Sequence, residues 1–411
     1  MPLRAVILGI DGVFFDTRDG GRQAPEPIRS EIRRLFDSLR DIGVAIIVLS
    51  NRSFQVQDAD GNTRPMRDHL KDVYGDLQLY ETRAMGLPPK GSKKLMPRVL
   101  GELGLSSDET IYVGTTKWDL RTAVNAHLLF ANAAWLQEDT PYGFVFRSPA
   151  AVRAFVDVVA TRTHPWFYAI DNPVMFRSLA PFSTYRPDYE LYSRAARRAA
   201  KVGSDEQDFF LQSLAWSIYV TKLRFNYVAC VPGHKRGFGN HVMDDALRVI
   251  AQIGGGKYLP DLIVRHTDAP KSQTVRQQQG EPSPLAQLNT ICLTQLPMKT
   301  RETRYKHPVR IRGNRVLVVD DFCTAGYSLE ACRAYLERAG AEVLAVSWLK
   351  TINVPYHVVK VMRDFDPYQQ ATFDINDIKT RQLPYSAHIA DPAAPLELLR
   401  TFRRYRRLRA N

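Results

Sequence analysis

Short apolar runs alternate with amphipathic stretches along the whole chain, which is the pattern of an α/β protein. In the first part, β-rich runs at 4–10, 44–50 and 110–114 flank stretches with helical spacing at 28–42 and 97–105. A second series of such runs follows further along the chain. Its predicted strands are 227–231, 261–264, 290–293, 315–320 and 342–349, and its predicted helices are 241–253 and 328–339. The pattern therefore predicts two Rossmann-like parallel-sheet domains in series.

A break in this periodicity indicates where the two predicted domains are joined. Between residues 159 and 173, the sequence Thr-His-Pro-Trp interrupts the apolar spacing. A further helix is predicted at 185–201, and the polar segment 271–284, which contains Gly and Pro, predicts a mobile loop. We predict a first domain at 1–160, a second at 166–355 and a C-terminal extension at 356–411.

Composition and charge narrow the classes of protein that fit this pattern. Of the 411 residues, 45% are apolar and 24% are charged, which disfavours a disordered or collagen-like chain. The 56 Lys and Arg against 43 Asp and Glu leave a formal charge of +13. This excess favours anionic partners such as phosphorylated metabolites or nucleic acid, and charge alone does not choose between them.

The C-terminal tail is strongly basic, and no part of the chain has the length of apolar sequence that a membrane span needs. Residues 400–409 contain six arginines interspersed with Phe402, Tyr405 and Leu408. They predict a helix whose apolar side packs on the body, with binding of nucleic acid or a partner protein as the alternative.

We expect no membrane segment and a cytoplasmic location. The four cysteines are widely spaced without a CxxC pair and are expected to be reduced thiols.

The clearest chemical signal lies at 316–329 (VLVVDDFCTAGYSL), where an apolar strand leads into Asp320 and Asp321. A turn of small residues follows and opens a helix. The amides of such a turn can surround a phosphate, and Thr324 and Ser328 add hydroxyl donors. The two adjacent carboxylates can accept hydrogen bonds from the vicinal hydroxyls of a ribose. The segment is therefore predicted to bind a ribose 5-phosphate.

This segment resembles the phosphoribosyl-diphosphate loop of the type I phosphoribosyltransferases, in which Asp-Asp is followed by two residues, Thr-Thr-Gly, one residue and Thr. Ala325 replaces the second Thr and Ser328 the last, which removes one hydroxyl but leaves the amides available. The resemblance implies that Asp320 and Asp321 belong to the catalytic centre. It also implies that the donor is bound by Cys323, Thr324, Ala325, Gly326, Tyr327 and Ser328.

A second loop, upstream of the first, supports the same resemblance. Residues 232–240 (PGHKRGFGN) follow a predicted strand and are similar to the diphosphate loop of competence-protein-like phosphoribosyltransferases. In this interpretation, Lys235 and Arg236 neutralise the leaving diphosphate. Pro232 and Gly233 would contact the donor through the turn, and His234 either hydrogen-bonds the diphosphate or shapes the loop.

The polar sequence after residue 264 resembles the flexible hood of the same family, with Arg265 and Arg276 as donor-binding residues. Closure of such a hood would exclude water, and a plain surface loop is the alternative. Segment 173–222 is expected to form the rest of the hood. The resemblance implies substitution at the ribose anomeric carbon, with Mg²⁺ bound through the diphosphate near Asp320 and Asp321. A homodimer would be compatible with this family.

The N-terminal part contains a different set of motifs. Segments 8–17 (LGIDGVFFDT), 44–51 (VAIIVLSN) and 111–126 (IYVGTTKWDLRTAVNA), together with Lys90, resemble the haloacid dehalogenase (HAD) superfamily. Gly9 stands in place of the nucleophilic Asp of that family, and Thr115 in place of its first metal-binding Asp. The remaining positions match, namely Asp11, Ser50, Lys90 and Asp119.

The two replacements imply a degenerate HAD-like domain without phosphatase activity, because neither the nucleophile nor the complete set of Mg²⁺ ligands is present. Ser50 and Lys90 would still allow phosphate or a nucleotide to bind as a signal. A purely structural or docking role is the alternative.

Two functions remain open. The leading hypothesis is a phosphoribosyltransferase, a glycosyltransferase of the pentosyl class, that transfers ribose 5-phosphate from phosphoribosyl diphosphate to an unidentified acceptor. The alternative is a non-catalytic sensor of phosphoribosyl diphosphate or a nucleotide that binds nucleic acid or a partner protein. Fusions of these two fold types resemble effectors of bacterial stress and anti-phage defence systems, including retron effectors.

Overall fold

The computed structural model describes residues 3–16, 22–57, 63–137, 143–203, 206–239, 243–270, 283–300 and 302–410. The chain divides into two compact units. The first comprises Met1–Thr163, Ile218–Leu223 and Gln252–Gly255, and the second comprises His164–Ser217, Arg224–Ala251 and Gly256–Asn411. Residues 356–410, which the sequence pattern presents as an extension, are therefore part of the second unit.

The first unit is built around a parallel sheet. Its strands are β1 (Ala5–Gly9), β2 (Phe15–Asp16), β3 (Arg22–Gln23), β4 (Ala45–Ser50), β5 (Gln55–Gln57), β6 (Thr63–Pro65), β7 (Gln78–Glu81), β8 (Thr110–Gly114), β9 (Leu129–Ala133) and β10 (Phe144–Phe146). Its helices are α1 (Glu26–Asp41), α2 (Met66–Tyr74), α3 (Leu95–Glu102), α4 (Lys117–Asn125) and α5 (Pro149–Phe155), which continues as a π-helix at Val156–Ala160.

The strand order of this sheet is β10-β9-β8-β1-β4-β7, and all of its pairs are parallel. Val6, Ile7 and Leu8 of β1 are fully buried, as expected for a central strand that is covered on both faces. The chain first adds strands on one side of β1 and then crosses to the other side at β8. The carboxyl ends of β1 and β8 therefore form the topological switch point, where open α/β sheets usually bind their ligands.

The second unit contains a sheet of mixed direction and two smaller sheets. Its strands are β11 (Tyr168–Ile170), β12 (Met175–Phe182), β13 (Tyr227–Cys230), β14 (Gly237–Phe238), β15 (Lys257–Tyr258), β16 (Ile263–Arg265), β17 (Ile291–Leu293), β18 (Arg315–Cys323), β19 (Glu342–Thr351), β20 (Tyr356–Val361) and β21 (Ile378–Leu383). The helices that lie or begin in it are α6 (Pro187–Val202), α7 (Gln207–Val220), α8 (Asp244–Ile253), α9 (Leu285–Leu288), α10 (Tyr327–Arg338) and α11 (Ala394–Ala410).

The main sheet of this unit has the order β11-β12-β19-β18-β13-β15, and its pairs are parallel except for the antiparallel edge strand β11. From β13 the chain moves outward to β15 and then returns to β18 on the other side of β13. The switch point of this sheet therefore lies between the carboxyl ends of β13 and β18.

The first part of segment 173–222, which the sequence predicts as a hood, lies in the main sheet instead. Strand β12 pairs with β19 inside the main sheet, and α6 and α7 follow it. The predicted strands at 261–264 and 290–293 exist as β16 and β17, but they belong to a separate antiparallel sheet of the order β14-β16-β17. Runs of three or four apolar residues reveal a strand but not its pairing partner, which is why their sheet could not be assigned.

The hairpin of β20 and β21 is fastened to helix α10. The Tyr356 hydroxyl donates to Glu330 Oε1 at 2.8 Å, and the Val359 amide donates to Glu330 Oε2 at 2.8 Å. Glu330 is almost completely buried, so these donors and Arg333 compensate for the loss of its hydration. The hairpin is thereby held against the helix that begins at the small-residue turn.

The basic tail forms helix α11, as predicted. Phe402 is fully buried, and its ring centroid lies 5.1 Å from that of Phe209. No helix in the described part of the chain combines the length and apolarity needed to cross a bilayer.

The close contact between Gly326 and Tyr356 leads to a stability prediction. Gly326 has a φ of 89°, and a Cβ added to it would lie 2.5 Å from the Tyr356 ring. Gly313 has a φ of 71° but no atom within 4 Å of its added Cβ, so Gly313→Ala measures the backbone cost alone. We expect Gly326→Ala to lower the free energy of unfolding by about 1–3 kcal/mol more than Gly313→Ala does. Urea titrations would measure the difference, and equal costs would contradict this account of the turn.

Candidate functional site

A cavity of about 690 Å³ lies at the switch point of the second unit, beyond the ends of β13 and β18. This volume is within the range of small-molecule sites. One side is formed by Asp320, Asp321 and Ser328, and another by the loop that follows β13. The complete lining consists of Ala200, Lys201, Val231, Pro232, Gly233, His234, Lys235, Arg236, Gly237, Phe238, Gly239, Asp320, Asp321, Phe322 and Ser328.

The carboxylates of Asp320 and Asp321 lie side by side at the end of the buried strand β18. The Asp321 amide donates to Asp320 Oδ1 at 2.9 Å, and the Phe322 amide donates to Asp321 Oδ1 at 2.8 Å. Burial, followed by the charge of Asp321, raises the pKa of Asp320 well above its usual range. Burial also raises the pKa of Asp321, although Lys201 opposes this effect. Two adjacent acids with raised pKa values are suited to accept donors or a cation from a ligand.

The opposite side of the cavity is a basic loop whose backbone is held by Asp268. Lys235 Nζ lies 2.7 Å from Asp268 Oδ2, and the Arg236 amide donates to Asp268 Oδ1 at 2.7 Å. The hydrogen bond from Lys235 holds the pKa of Asp268 below its usual value. The His234 carbonyl accepts from the Ala269 amide at 2.8 Å. The loop therefore presents its side chains on a backbone that is already ordered.

Arg265 does not take the position that the sequence predicts for it. It is only 3% exposed and is not part of the cavity lining. Its guanidinium donates to the carbonyl of Gly233 at 2.5 Å, to Gln287 Oε1 at 2.9 Å and to the Thr290 hydroxyl. This buried arginine supports the loop through its carbonyls and stands outside the cavity lining, and its direct contact with the donor stays a prediction. Arg276 lies outside the described residues.

The small-residue turn contributes Ser328 to the cavity, and its other residues mainly shape the backbone. Helix α10 begins at Tyr327, so its first amides have no acceptor within the helix. The Thr324 hydroxyl lies 3.1 Å from that of Thr351, and the Ala325 carbonyl accepts from the His357 amide at 2.9 Å. The other residues of the predicted donor-binding turn are not part of the cavity lining, namely Cys323, Thr324, Ala325, Gly326 and Tyr327.

Cys323 is buried behind this turn. Burial raises the pKa of its thiol to about 12, so the thiol stays neutral at physiological pH. The four cysteines of the chain are free thiols.

Two lysines at this site were missed by the sequence analysis. Lys201 lines the cavity from helix α6. Lys350 is fully buried, donates to the carbonyls of Thr324 and Val354 at 2.6 Å each, and so anchors the turn. A single lysine at the end of the apolar run 342–351 was a signal for such an anchor, because a buried ammonium needs fixed acceptors. The sequence carries no comparable signal for Lys201.

The donor set at the cavity fits a Mg²⁺ ion that arrives with its ligand. In the described part of the chain, no group of three or more Asp, Glu, His or Cys side chains is arranged to hold a metal. Mg²⁺ is often bound by one or two carboxylates together with substrate phosphates. Asp320 and Asp321 can supply those carboxylates, whereas a resident ion would need additional protein ligands.

The site that the sequence predicts in the first unit, at Asp11, Ser50, Lys90 and Asp119, is filled by its own side chains. Asp119, which is fully buried, lies with Oδ1 2.7 Å from Lys90 Nζ and accepts from the Tyr112 hydroxyl at 2.7 Å. Its Oδ2 accepts from the Thr116 hydroxyl at 2.7 Å and from the Thr116 amide at 3.0 Å. Burial raises the pKa of Asp119, but Lys90 and these hydroxyls hold it below its usual value.

The space beside Gly9, where the resemblance would place a nucleophilic Asp, is occupied as well. A Cβ added to Gly9 would lie 2.8 Å from Asp119 Oδ1. Thr115 donates its hydroxyl to the Ala133 carbonyl at 3.0 Å, and Ser50 donates to the Arg52 carbonyl at 2.7 Å. Asp11 lies beyond β1 and forms an isolated bridge with Phe15. Lys90, Asp119 and Ser50 are thus engaged within the protein, which disfavours a phosphate sensor at this site.

The chain was compared with known proteins in three ways. No family model matches it, and no curated protein matches it. Several solved structures do match part of it, among them two proteins described as HAD hydrolases and one phosphatase.

One is a protein described as an HAD family hydrolase from Streptomyces avermitilis, with 17% identity over 37% of this chain and 87% of that chain, at a TM-score of 0.26. Another is the cobalt-bound deoxy-D-mannose-octulosonate 8-phosphate phosphatase of Haemophilus influenzae, with 16% identity over 38% of this chain and 84% of that chain, also at 0.26. A third is an HAD-superfamily hydrolase of subfamily IA from Geobacter sulfurreducens, with 16% identity over 38% of this chain and all of that chain, again at 0.26. Likeness at this level carries no conclusion about chemistry, which follows from the residues of the site.

The raised pKa values at the cavity predict how stability changes with pH. Because the folded pKa of Asp320 exceeds that of the unfolded chain, its contribution to stability is fully present below about pH 4 and is lost as pH rises through the folded pKa. Asp320→Asn should therefore raise the urea midpoint at pH 8, and the gain should vanish near pH 4. Asp364→Asn, at a position 89% exposed, is the control and should show no such pH-dependent gain. A loss of stability at pH 8 in Asp320→Asn would contradict the account.

Because Asp119 occupies the space beside Gly9, we predict that an Asp cannot be introduced at Gly9 without a loss of stability. Gly9→Asp would place a second carboxylate against buried Asp119, so we expect a loss of more than about 3 kcal/mol in the free energy of unfolding. The control Gly101→Asp, at an exposed position without a left-handed φ where nothing lies within 4 Å of the added Cβ, reports the cost of a carboxylate without crowding. Neither variant nor the wild type should hydrolyse p-nitrophenyl phosphate. Hydrolysis by Gly9→Asp would show that the site is more open than described.

Proposed function

We propose that the second unit binds phosphoribosyl diphosphate and transfers its ribose 5-phosphate to an acceptor. The observation that supports this most directly is the cavity between the Asp320–Asp321 pair and the loop that carries Lys235 and Arg236. A ligand with vicinal hydroxyls at one end and an anionic diphosphate at the other complements these two sides.

The carboxylate side would hold the ribose. Its hydroxyls would donate to Asp320 and Asp321, whose raised pKa values reflect burial without sufficient donors. Ser328 and the first amides of α10 would hold the 5-phosphate, because a helix amino terminus attracts an anion. These contacts would fix the sugar with its anomeric carbon toward the basic loop.

The basic side would bind the leaving group. The acceptor's nucleophilic atom would form a bond to the anomeric carbon while the bond from that carbon to the diphosphate oxygen breaks. The diphosphate leaves with the electron pair, and the acceptor's proton passes to solvent or to the diphosphate. Lys235 and Arg236 would stabilise the negative charge that develops on the leaving oxygen. Mg²⁺ bound through the diphosphate would offset part of the same charge.

The first unit would take no part in this chemistry. Its polar groups at the β1 and β8 ends are committed to the Lys90–Asp119 pair, which is consistent with an accessory role.

Isothermal titration calorimetry with phosphoribosyl diphosphate and Mg²⁺ tests the proposal. We expect wild-type binding, and at least about 30-fold weaker binding in Asp320→Asn with Asp321→Asn, because charge-assisted hydrogen bonds to two hydroxyls are lost. Lys235→Ala should weaken binding by about 10-fold. Asp364→Asn removes an exposed carboxylate and should bind as the wild type does.

Failure of the wild type to bind, with the fold intact, would overturn the proposal. Release of diphosphate on addition of an acceptor separates a transferase from a sensor. Tight binding without release in any nucleobase, nucleotide or macromolecule mixture would favour the sensor function.

A further inference from the structure

A second hollow, of about 550 Å³, lies along helix α6 of the same unit. We name it the α6 groove and define it by Tyr185, Arg194, Arg197, Arg198 and Lys201. Lys201 also lines the cavity that contains Asp320 and Asp321. The two hollows therefore share a wall, and a molecule in the groove lies next to the proposed donor site.

The cations of the groove form one stripe on the helix. Arg197 and Arg198 follow Arg194 by three and four positions and precede Lys201 by four and three, so these side chains project from the same side of the helix. Arg194 is paired with Glu190 at 2.7 Å and Arg198 with Glu206 at 3.1 Å. No ion pair is formed by Arg197 within the described part of the chain, and Lys201 faces the cavity. The groove therefore carries unbalanced positive charge that suits a phosphate.

Tyr185 adds an aromatic surface to this charge. Its side chain is 93% exposed, although tyrosine usually buries much of its ring. The backbone that carries it is ordered, because the Ser183 hydroxyl accepts from the amides of Tyr185 at 3.3 Å and Arg186 at 3.1 Å. The Ser183 amide in turn donates to the buried Ser193 hydroxyl at 3.2 Å. An exposed ring on an ordered backbone beside guanidinium groups is suited to stacking a base whose phosphate is bound nearby.

We propose that the α6 groove binds a nucleotide unit, with its base on Tyr185 and its phosphate on Arg197 and Lys201. Its role as the acceptor site rests on the proposed function, because only a donor in the adjacent cavity makes the bound nucleotide an acceptor. The unit can come from a free nucleotide or from a single-stranded nucleic acid, since both present a base and a phosphate. An acidic peptide would use the charge of the groove but not the ring.

The test measures binding of a fluorescein-labelled single-stranded RNA, A12, by fluorescence anisotropy, with AMP as a competitor. Tyr185→Ala and Arg197→Ala should each raise Kd by about 10-fold, since one stacked base or one phosphate contact is lost. The slope of log Kd against log salt should fall by about one in Arg197→Ala only. Tyr185→Phe, which keeps the ring, and Arg381→Ala, an exposed arginine of β21, should stay within about twofold of the wild type.

The outcomes distinguish a free nucleotide from a single-stranded nucleic acid, and they distinguish failure of the α6 groove from failure of the proposed function. If AMP displaces the labelled RNA as well as unlabelled RNA does, with both concentrations counted in nucleotides, the groove binds a free nucleotide. If only unlabelled RNA displaces the probe, the groove binds a polynucleotide. No binding of either probe, an unchanged Kd in Tyr185→Ala, or equal displacement by poly-glutamate overturns the α6 groove as a nucleotide site. Phosphoribosyl diphosphate binding by calorimetry should be unchanged in Tyr185→Ala. If neither the wild type nor any variant binds phosphoribosyl diphosphate, but the Kd for RNA rises in Tyr185→Ala and Arg197→Ala, the proposed function fails and the nucleotide site stands.

Discussion

Two like charges at the end of a buried strand are the constraint around which the second unit is arranged. Asp320 and Asp321 lie near the end of β18, where burial raises both pKa values and the charge of Asp321 raises that of Asp320 further. Such a pair costs stability unless donors or cations reach it. The surrounding cavity, with Lys201 and the basic loop on its walls, provides room for a ligand that would satisfy both groups.

The backbone around this pair is held by other buried polar groups. Arg265 donates to the loop carbonyls from behind, Lys350 donates to the turn at Thr324, and Glu330 ties α10 to Tyr356. Each is satisfied by fixed partners, so each can remain buried without a large desolvation cost. None of these three groups is part of the cavity lining. They keep the loop and the turn in place, which reduces the ordering that binding would otherwise require.

In the first unit, the switch point at the carboxyl ends of the strands is filled by side chains and leaves no comparable room beside Gly9. Its switch point also brings strand ends together, but Lys90 and Asp119 pair there, and Asp119 occupies the space beside Gly9. A buried pair with several hydrogen-bond donors is stable only while both partners are present. The residues that resemble a phosphatase motif are consequently used for the stability of the fold.

The sequence by itself determined most of the elements and the identity of the chemical groups. Short apolar runs located β1, β4, β8, β13 and β18 to within a few residues, because a run of apolar residues is a local property. The acid pair, the basic loop and the replacement at Gly9 were also visible, since residue type alone reveals them. The tertiary structure decided which groups reach the cavity. Arg265 is turned inward, Lys201 is brought from helix α6, and residues 175–182 form a strand of the main sheet. These outcomes depend on strand pairing and packing between residues far apart in the chain, which no local pattern encodes.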